Sequence, residues 1–559
     1  MPGALVSKGR KKRRVSWPAS LVWPDVPVED DVPEKAMESR SGPLLALDIC
    51  KGIPNAVVAQ PHVLSHPPRG LVCPRAAKVG ARLYGLATAH SEVARRCPCN
   101  VVNALVTRHL VASTEVHFSV LADAGAVHDE LKAALSSEIE PLDFDEWNER
   151  WPAGKREMLE ESLAIPGRFR QRGQVKAFSK RETARVLKKV RAIQMYANIA
   201  AQAESGYRVT RLQRAMKRCF RSLSVAAAGG SSITFASGMS AEDISAWARR
   251  AAHGALFFIE QDGKNWDATM NAALQAFKFD AFDSFDPGLG WLLRQGLDVK
   301  GSSAGGIRYR AYATTKSGHN DTTVGNSYIN ALICLSVMRV LGWVGHIIVA
   351  GDDSLVAVHH APPSETGSRA SDFARVARRF GIVPETGSFA QIQHCTFISG
   401  RFVGPDALFC PKIGRLTTRL NWTCSLVGKP DVHKRGIRLG LGATGRLPLI
   451  ATLLDPFGTL GEGAARASSM PYHTQAHEGV DEALLEDSYG LEPGSFGFIA
   501  AWFRAQAQGM PTDPAAAWGK VVEPCWDLES MIEQDFAEMK DRVGVLDYDT
   551  PDGAGSLVR

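Results

Sequence analysis

Residues 349–358 constrain the fold of this chain more than any other stretch: two apolar, β-branched runs joined by Gly351-Asp352-Asp353. Period-two alternation broken by a glycine marks a hairpin. Residues 343–350 and 354–358 are therefore predicted as its two strands, with Gly351 accepting the turn's backbone angles. The tip then carries adjacent carboxylates on a rigid element. They repel each other unless a cation lies between them, which outlines a metal site. Gly-Asp-Asp also occurs in ordinary solvated turns, so its weight depends on what accompanies it.

Two upstream segments do. Phe257-Phe258-Ile259-Glu260-Gln261-Asp262 is an apolar strand running into a carboxylate, and Asp267 follows five residues later. Ser317-Gly318-His319-Asn320-Asp321-Thr322-Thr323-Val324-Gly325-Asn326 opens the longest helical run of this half of the chain. In the order Asp-x4-Asp, Ser-Gly-x3-Thr-Thr-x-Gly-Asn, Gly-Asp-Asp, the chain resembles the palm of viral RNA-dependent RNA polymerases. The second motif is most similar to that of the tombusvirus and nodavirus-like positive-strand group.

The resemblance implies an α+β right hand with fingers, palm and a mostly helical thumb. It implies template-directed RNA synthesis from ribonucleoside triphosphates by two-metal nucleotidyl transfer, with two Mg2+ ions that Mn2+ can replace. Asp262 and Asp352 become the principal metal ligands and Asp353 an auxiliary one. Thr322 and Asn326, one helical turn apart and so on one face, would meet the ribose together with Asp267. The loop at Ser317 and Gly318 would follow the template backbone. Upstream, Lys180-Arg181-Glu182 and Lys188-Lys189-Val190-Arg191-Ala192-Ile193 resemble the fingertip segment of these enzymes, which implies that Lys180, Lys189 and Arg191 contact the incoming triphosphate. Residues 396–403 resemble the short strand that grips the primer end.

At 559 residues the chain is long for one hydrophobic core, so several substructures are expected. Its 45% apolar and 22% charged residues are those of a globular protein. The net charge of +6 is unevenly placed. Residues 168–221 carry sixteen Lys or Arg against Glu182 and Glu204, +14 by subtraction. Such a density suits a phosphate-lined channel, although the spacing of Arg208, Arg211 and Arg214 fits a solvated helix face as well. The ten cysteines have no secretory framework around them and are taken as reduced thiols.

The expected organisation is a basic arm over 1–45, an N-terminal extension and fingers over 46–254 and a first palm part over 255–280. A fingers insertion over 281–316, with a Gly-rich loop at 301–306, a second palm part over 317–405 and a thumb over 406–559 complete it. Within the extension, 91–96, 127–135 and 143–151 are helix-like and suggest no chemistry. Arg339, Gly342 and His346 interrupt the most apolar run, 331–350, which is expected to be the end of a helix followed by a core strand rather than a membrane span. RNA template, nascent RNA and nucleotides are the expected partners, in the host cytoplasm and at membrane-associated complexes only through other viral or host factors.

One departure stands out. Polymerases of this kind usually place a lysine between the Gly-Asp-Asp hairpin and the primer grip, and here none occurs from Ser354 to Pro411. Arg378, Arg379, Arg401, His394 or water would have to serve the leaving pyrophosphate. Two other readings compete: a reverse transcriptase, which the Thr322 and Asn326 motif disfavours, and an RNA-packaging factor with a dead palm, which the retained carboxylates disfavour.

Overall fold

The computed structural model describes residues 92–94, 98–110, 116–136, 141–164, 174–180, 190–303 and 308–411, with short pieces at 57–58, 77–79, 81–82, 183–184, 422–423 and between 483 and 501. The described chain is mixed α+β. The arm over 1–45 and the helices expected over 498–507 and 528–543 lie outside the described residues, apart from Ala501.

Helix α1 (Pro98–Ala104) continues into a π-helical turn, Leu105–His109, and α2 (Phe118–Ser136) follows. Strands β1 (Gln174–Ser179) and β2 (Ala192–Tyr196) pair antiparallel. The long α3 (Ile199–Cys219) begins where the Asn198 side chain accepts from the Ala200 amide, a cap that satisfies one orphan donor. After β3 (Arg221–Val225) and β4 (Ser231–Phe235), α4 (Ala241–Ala252) starts on a reciprocal Ser240–Asp243 capping box. Next come β5 (Phe257–Gly263), the one-turn α5 (Trp266–Thr269) and α6 (Ala272–Phe285). Strands β6 (Asp298–Ser303) and β7 (Arg308–Tyr312) precede α7 (Thr322–Leu341). The hairpin β8 (Val344–Ala350) and β9 (Asp353–His360), helix α8 (Arg369–Arg378) and β10 (Pro384–Phe389) complete the central body.

A six-stranded sheet in the order β10-β5-β9-β8-β4-β3 holds that body together. Its pairs are antiparallel except β8 with β4. Both faces are covered, which explains why these strands are apolar throughout. Ile259, Ile347, Val349, Val356 and Val358 face α2, α3, α6 and α7. The alternate residues Phe258, Ile348, Leu355 and Ala357 face α4. Truncating Ile347, which is fully buried, to alanine should cost about 2–5 kcal/mol.

Helix α7 is apolar nearly all round, and 83% of its most apolar window is buried inside the protein. Among the described residues it is the one helix long and apolar enough to cross a membrane, and here it is the core against which α2, α6 and the sheet pack. Gly342, at φ 65°, ends it and turns the chain into β8. The helix-then-strand reading of 331–350 therefore describes the structure.

A second sheet joins Val57–Val58, β7, β6, β1 and β2. It corrects the expectation of a Gly-rich loop at 301–306: Gly301 and Ser302 are ladder residues of β6 paired with both β7 and β1, Ser303 pairs with β1, and 304–307 are outside the described residues. The helix expected at 91–96 is the strand Glu92–Ala94, paired on both sides. The physical reason is at its end, since Cys97 precedes Pro98 and is disfavoured in α geometry. The single strand expected over 396–403 is a hairpin, β11 (Thr396–Phe397) and β12 (Gly400–Val403), extended by β13 (Leu408–Pro411). Its reversal is at Ile398 and Ser399, both in the left-handed region.

Candidate active site

Gly351 and Asp352 form the two-residue connection between β8 and β9, with Gly351 at φ 69°, where glycine carries no steric penalty. The register of β5 against β9 ends at Gln261 and Ser354. Asp262 therefore stands one step past the ladder, beside the hairpin tip, with Glu385 of β10 across from it. Asp352 is exposed at the turn, yet the protein crowded around it, and then the charge of Asp262, push its carboxyl up from the usual range. Two carboxylates from segments ninety residues apart thus share one edge of the sheet. Asp353 begins β9 opposite Ala350.

Asp267 reaches the same edge by a different route. After β5 the chain reverses at Asn265, held in the left-handed region at φ 53°, and enters α5. Asn265 occupies the cap position of that helix, so Asp267 is not its cap. Instead Asn326 Nδ2 of α7 donates to Asp267 Oδ1 at 3.0 Å. Burial pushes the Asp267 carboxyl up to about 6, the Asn326 hydrogen bond opposes this, and the charge of Asp352 adds to it.

Helix α7 also grips the hairpin tip. The Gly351 amide donates to Ser327 Oγ at 2.7 Å, and Asn330 Nδ2 donates to the carbonyls of Asp352 and Gly351 at 2.9 and 3.2 Å. Sequence reasoning passed over both residues. The signal available was a set of amide and hydroxyl side chains in an otherwise apolar helix, where burial requires each to find a partner.

The Thr322 hydroxyl lies within hydrogen-bonding distance of the Lys316 and His319 carbonyls, at 2.7 and 2.9 Å, and its single proton, given to one or shared between them, ties α7 to the preceding loop. The Ser317 hydroxyl donates to the Ala192 carbonyl at 3.3 Å, and the Gly318 amide to the Gln194 carbonyl at 3.1 Å. A Cβ at Gly318 would lie 2.8 Å from that carbonyl, so close docking on β2 requires glycine.

No family model and no curated protein matches this chain.

Beneath the Ser317–Gly318 loop lies a buried charge cluster. Lys278 and Asp321 pair at 2.9 Å with side chains 5% and 10% exposed. Burial alone would raise the Asp321 carboxyl, but the charge of Lys278 outweighs it and holds the carboxyl below its ordinary value. Lys316 donates to the Gly296 carbonyl; burial, and then Lys278, bring its ammonium down to about 7. His319 stacks on Tyr196 with ring centroids 3.5 Å apart.

Of the triphosphate candidates, Lys180 and Arg191 are joined by a backbone hydrogen bond from the Lys180 amide to the Arg191 carbonyl, and Lys189 lies outside the described residues. The basic face of α3 is not a free channel wall. Arg208 and Arg211 pair with Asp286 at 2.6 and 3.4 Å, and Arg214 with Glu146 at 3.6 Å. Acids distant in sequence thus partly offset charges that looked unbalanced along the chain.

Carboxylate oxygens are hard donors suited to Mg2+ or Mn2+. Among the described residues, no group of three or more His, Cys, Asp or Glu is gathered closely enough to hold a metal ion. The convergence of all three aspartates on one ion is therefore not seen. Asp262 and Asp352 still fit magnesium, which takes one or two carboxylates and completes its shell with water and substrate phosphate. The raised Asp352 carboxyl marks a site where a cation would relieve repulsion.

Proposed function

We propose that this chain is an RNA-dependent RNA polymerase of right-hand architecture, replicating and transcribing a viral RNA genome. The observation that carries the reading is the meeting of Asp262, Asp352 and the Asp267–Asn326 pair at one sheet edge, from three separate segments. On this reading the six-stranded sheet with α6 and α7 is the palm. The sheet containing β1, β2, β6 and β7 belongs to the fingers, and the chain beyond 405 is the thumb. The enzyme would belong with the tombusvirus and nodavirus-like group and act in the host cytoplasm with other replication factors.

Asp262 and Asp352 would hold two divalent cations, which when bound activate the primer 3′ hydroxyl and neutralise the α-phosphate. The new bond would join that oxygen to the α-phosphorus as the hydroxyl proton passes to water and the bond to pyrophosphate breaks. Asn326 presents an amide to the ribose 2′ hydroxyl while Asp267 fixes its orientation. Ser327 and Asn330 hold the turn so that Asp352 keeps its position relative to the sugar. Lys180 and Arg191 would meet the triphosphate, and arginine's planar fork suits phosphate oxygens.

The test is incubation of the purified protein with an RNA template, Mg2+ or Mn2+ and labelled nucleotides. Asp262→Ala and Asp352→Ala should each lower incorporation more than about a hundredfold, because a catalytic cation contributes several kcal/mol of charge stabilisation. RNA affinity should hold within about twofold, since neither side chain is a cation that binds phosphate. Near wild-type incorporation by Asp352→Ala would refute the assignment.

A further inference from the structure

The cavity beneath the Ser317–Gly318 loop is lined by more polar atoms than its own side chains satisfy. Gln275 of α6, Thr314 just after β7 and His319 of the loop border it, together with Lys278, Lys316 and Asp321. Gln275 and Thr314 are each only 2% exposed. Gln275 Oε1, Thr314 Oγ1 and His319 Nε2 are all buried, and none has a hydrogen-bond partner within the protein. Taking a polar atom out of water without replacing its hydrogen bond is costly, so three such atoms around one space point to a ligand. None of the three bonds to another, so the ligand must reach all of them from the cavity.

The same atoms define its chemistry. The Gln275 amide cannot be turned round, because Nε2 donates to the Ala313 carbonyl at 3.0 Å and an oxygen in its place could not. Oε1 is therefore an acceptor that needs a donor, and a simple anion has none to give. A metal cation would stand among the ammonium groups of Lys278 and Lys316, with Asp321 the one carboxylate among the lining residues and already paired to Lys278. What fits is a neutral molecule that both donates and accepts. Its size follows from the space, about 20 Å3, since a water needs roughly 10–15 Å3. Buried waters make about three hydrogen bonds, the number of atoms waiting here.

We propose that this cavity is a binding site for one water molecule, which joins Gln275 Oε1, Thr314 Oγ1 and His319 Nε2 and so clamps the Ser317–Gly318 loop to α6. The water donates to Gln275 Oε1 and accepts from the Thr314 hydroxyl, and the tautomer of His319 sets whether Nε2 gives or takes the third bond. The clamp lies between two direct attachments of the same stretch. The Thr315 amide donates to the Asp267 carbonyl at 2.8 Å on one side, and the Gly318 amide to the Gln194 carbonyl at 3.1 Å on the other. The water thus fixes the middle of a segment whose ends touch the candidate active site and β2. Nothing in this depends on the polymerase reading.

The first test is a crystal structure of the full chain at a resolution that shows ordered waters, with a second crystal soaked in sodium bromide. The expected result is a solvent peak within hydrogen-bonding distance of Gln275 Oε1 and of both other atoms, and no anomalous bromide signal there. Bromide in the cavity would replace the water site with an anion site. Gln275 Oε1 met directly by Lys278 or Lys316, or a cavity with no peak, would also overturn the proposal. The second test is hydrogen exchange, read by mass spectrometry on a peptide spanning 314–319, whose Thr315, Gly318 and His319 amides are all hydrogen-bonded. Thr314→Val keeps the shape and removes the hydroxyl, while His319→Phe keeps a ring to stack on Tyr196 and removes Nε2. Each should speed exchange about fivefold, the worth of roughly one hydrogen bond. If both act through one water, losing either partner releases it, and the double variant should exchange little faster than the single ones. Effects that multiply to about twenty-fivefold would show two independent contacts and refute the shared water. The crystal structure carries the test if a variant does not fold.

Discussion

Replacing Asp321 with asparagine removes the carboxylate that pairs with Lys278 beneath the Ser317–Gly318 loop. A surface pair would be worth less than about 1 kcal/mol. This pair is not on the surface: its side chains are 5% and 10% exposed and 2.9 Å apart, so the cost is that of stranding a buried charge, about 3–5 kcal/mol. Lys316 makes that cost depend on pH. Below its pKa of about 7 two ammonium groups would share the cavity without their acid, whereas above it Lys316 sheds its proton and leaves Lys278 alone. The loss should therefore be larger at pH 6 than at pH 9, within the same range of about 3–5 kcal/mol. Urea unfolding followed by tryptophan fluorescence measures it, and Lys278→Met with Asp321→Leu should recover most of the stability by removing both charges. A loss under about 1 kcal/mol for Asp321→Asn at both pH values would refute the reading that removing Asp321 strands a buried charge.

Wild-type stability should itself rise between about pH 7 and the ordinary lysine pKa of 10.5, because the unfolded chain holds a proton on Lys316 that the folded chain does not; Lys316→Met should flatten that slope. Asn326→Ala and Asp267→Ala should each collapse the preference for ribo- over deoxynucleotides by about tenfold to a hundredfold, the worth of a hydrogen bond to a charged group, and equal losses for both sugars would make the pair structural. Replacing Arg208 and Arg211 should leave the salt dependence of RNA binding unchanged and instead destabilise the fold, because both are engaged by Asp286; a slope reduced by about 0.7 per arginine would show that they meet phosphate after all.

The hairpin and α7 were legible because their patterns are local: period two on both sides of Gly351, and an unbroken apolar run ending at Gly342. The Asp267–Asn326 contact was legible only through the resemblance, since it joins residues 59 apart. What stayed hidden depends on partners that no local pattern announces. Asp286 lies 78 residues from Arg208, so the charge density of 168–221 looked uncompensated along the chain and is partly compensated in space. The resemblance assigned Thr322 to the sugar and gave no hint of the carbonyls of its own loop that its hydroxyl meets. Strand Glu92–Ala94 is too short for periodicity to distinguish from a helical turn, and its pairing with Ala77–Val79 and Thr183–Ala184 decides the matter.

The grip of Ser327 and Asn330 on the hairpin tip has a consequence for how such an enzyme could evolve. Asn326 lies on the same helix, one residue before Ser327, so on the proposed polymerase reading the group that would inspect the sugar and the carboxylate that would hold metal are fastened to one helix and form one body. A substrate that displaces Asn326 must displace Asp352 as well, and a wrong sugar is then penalised in turnover as well as in occupancy. Accuracy and speed cannot be adjusted separately by substitutions within this body. Variants that trade one against the other without losing both should arise instead where the body meets its neighbours, at the contacts of Ser317 and Gly318 with Ala192 and Gln194.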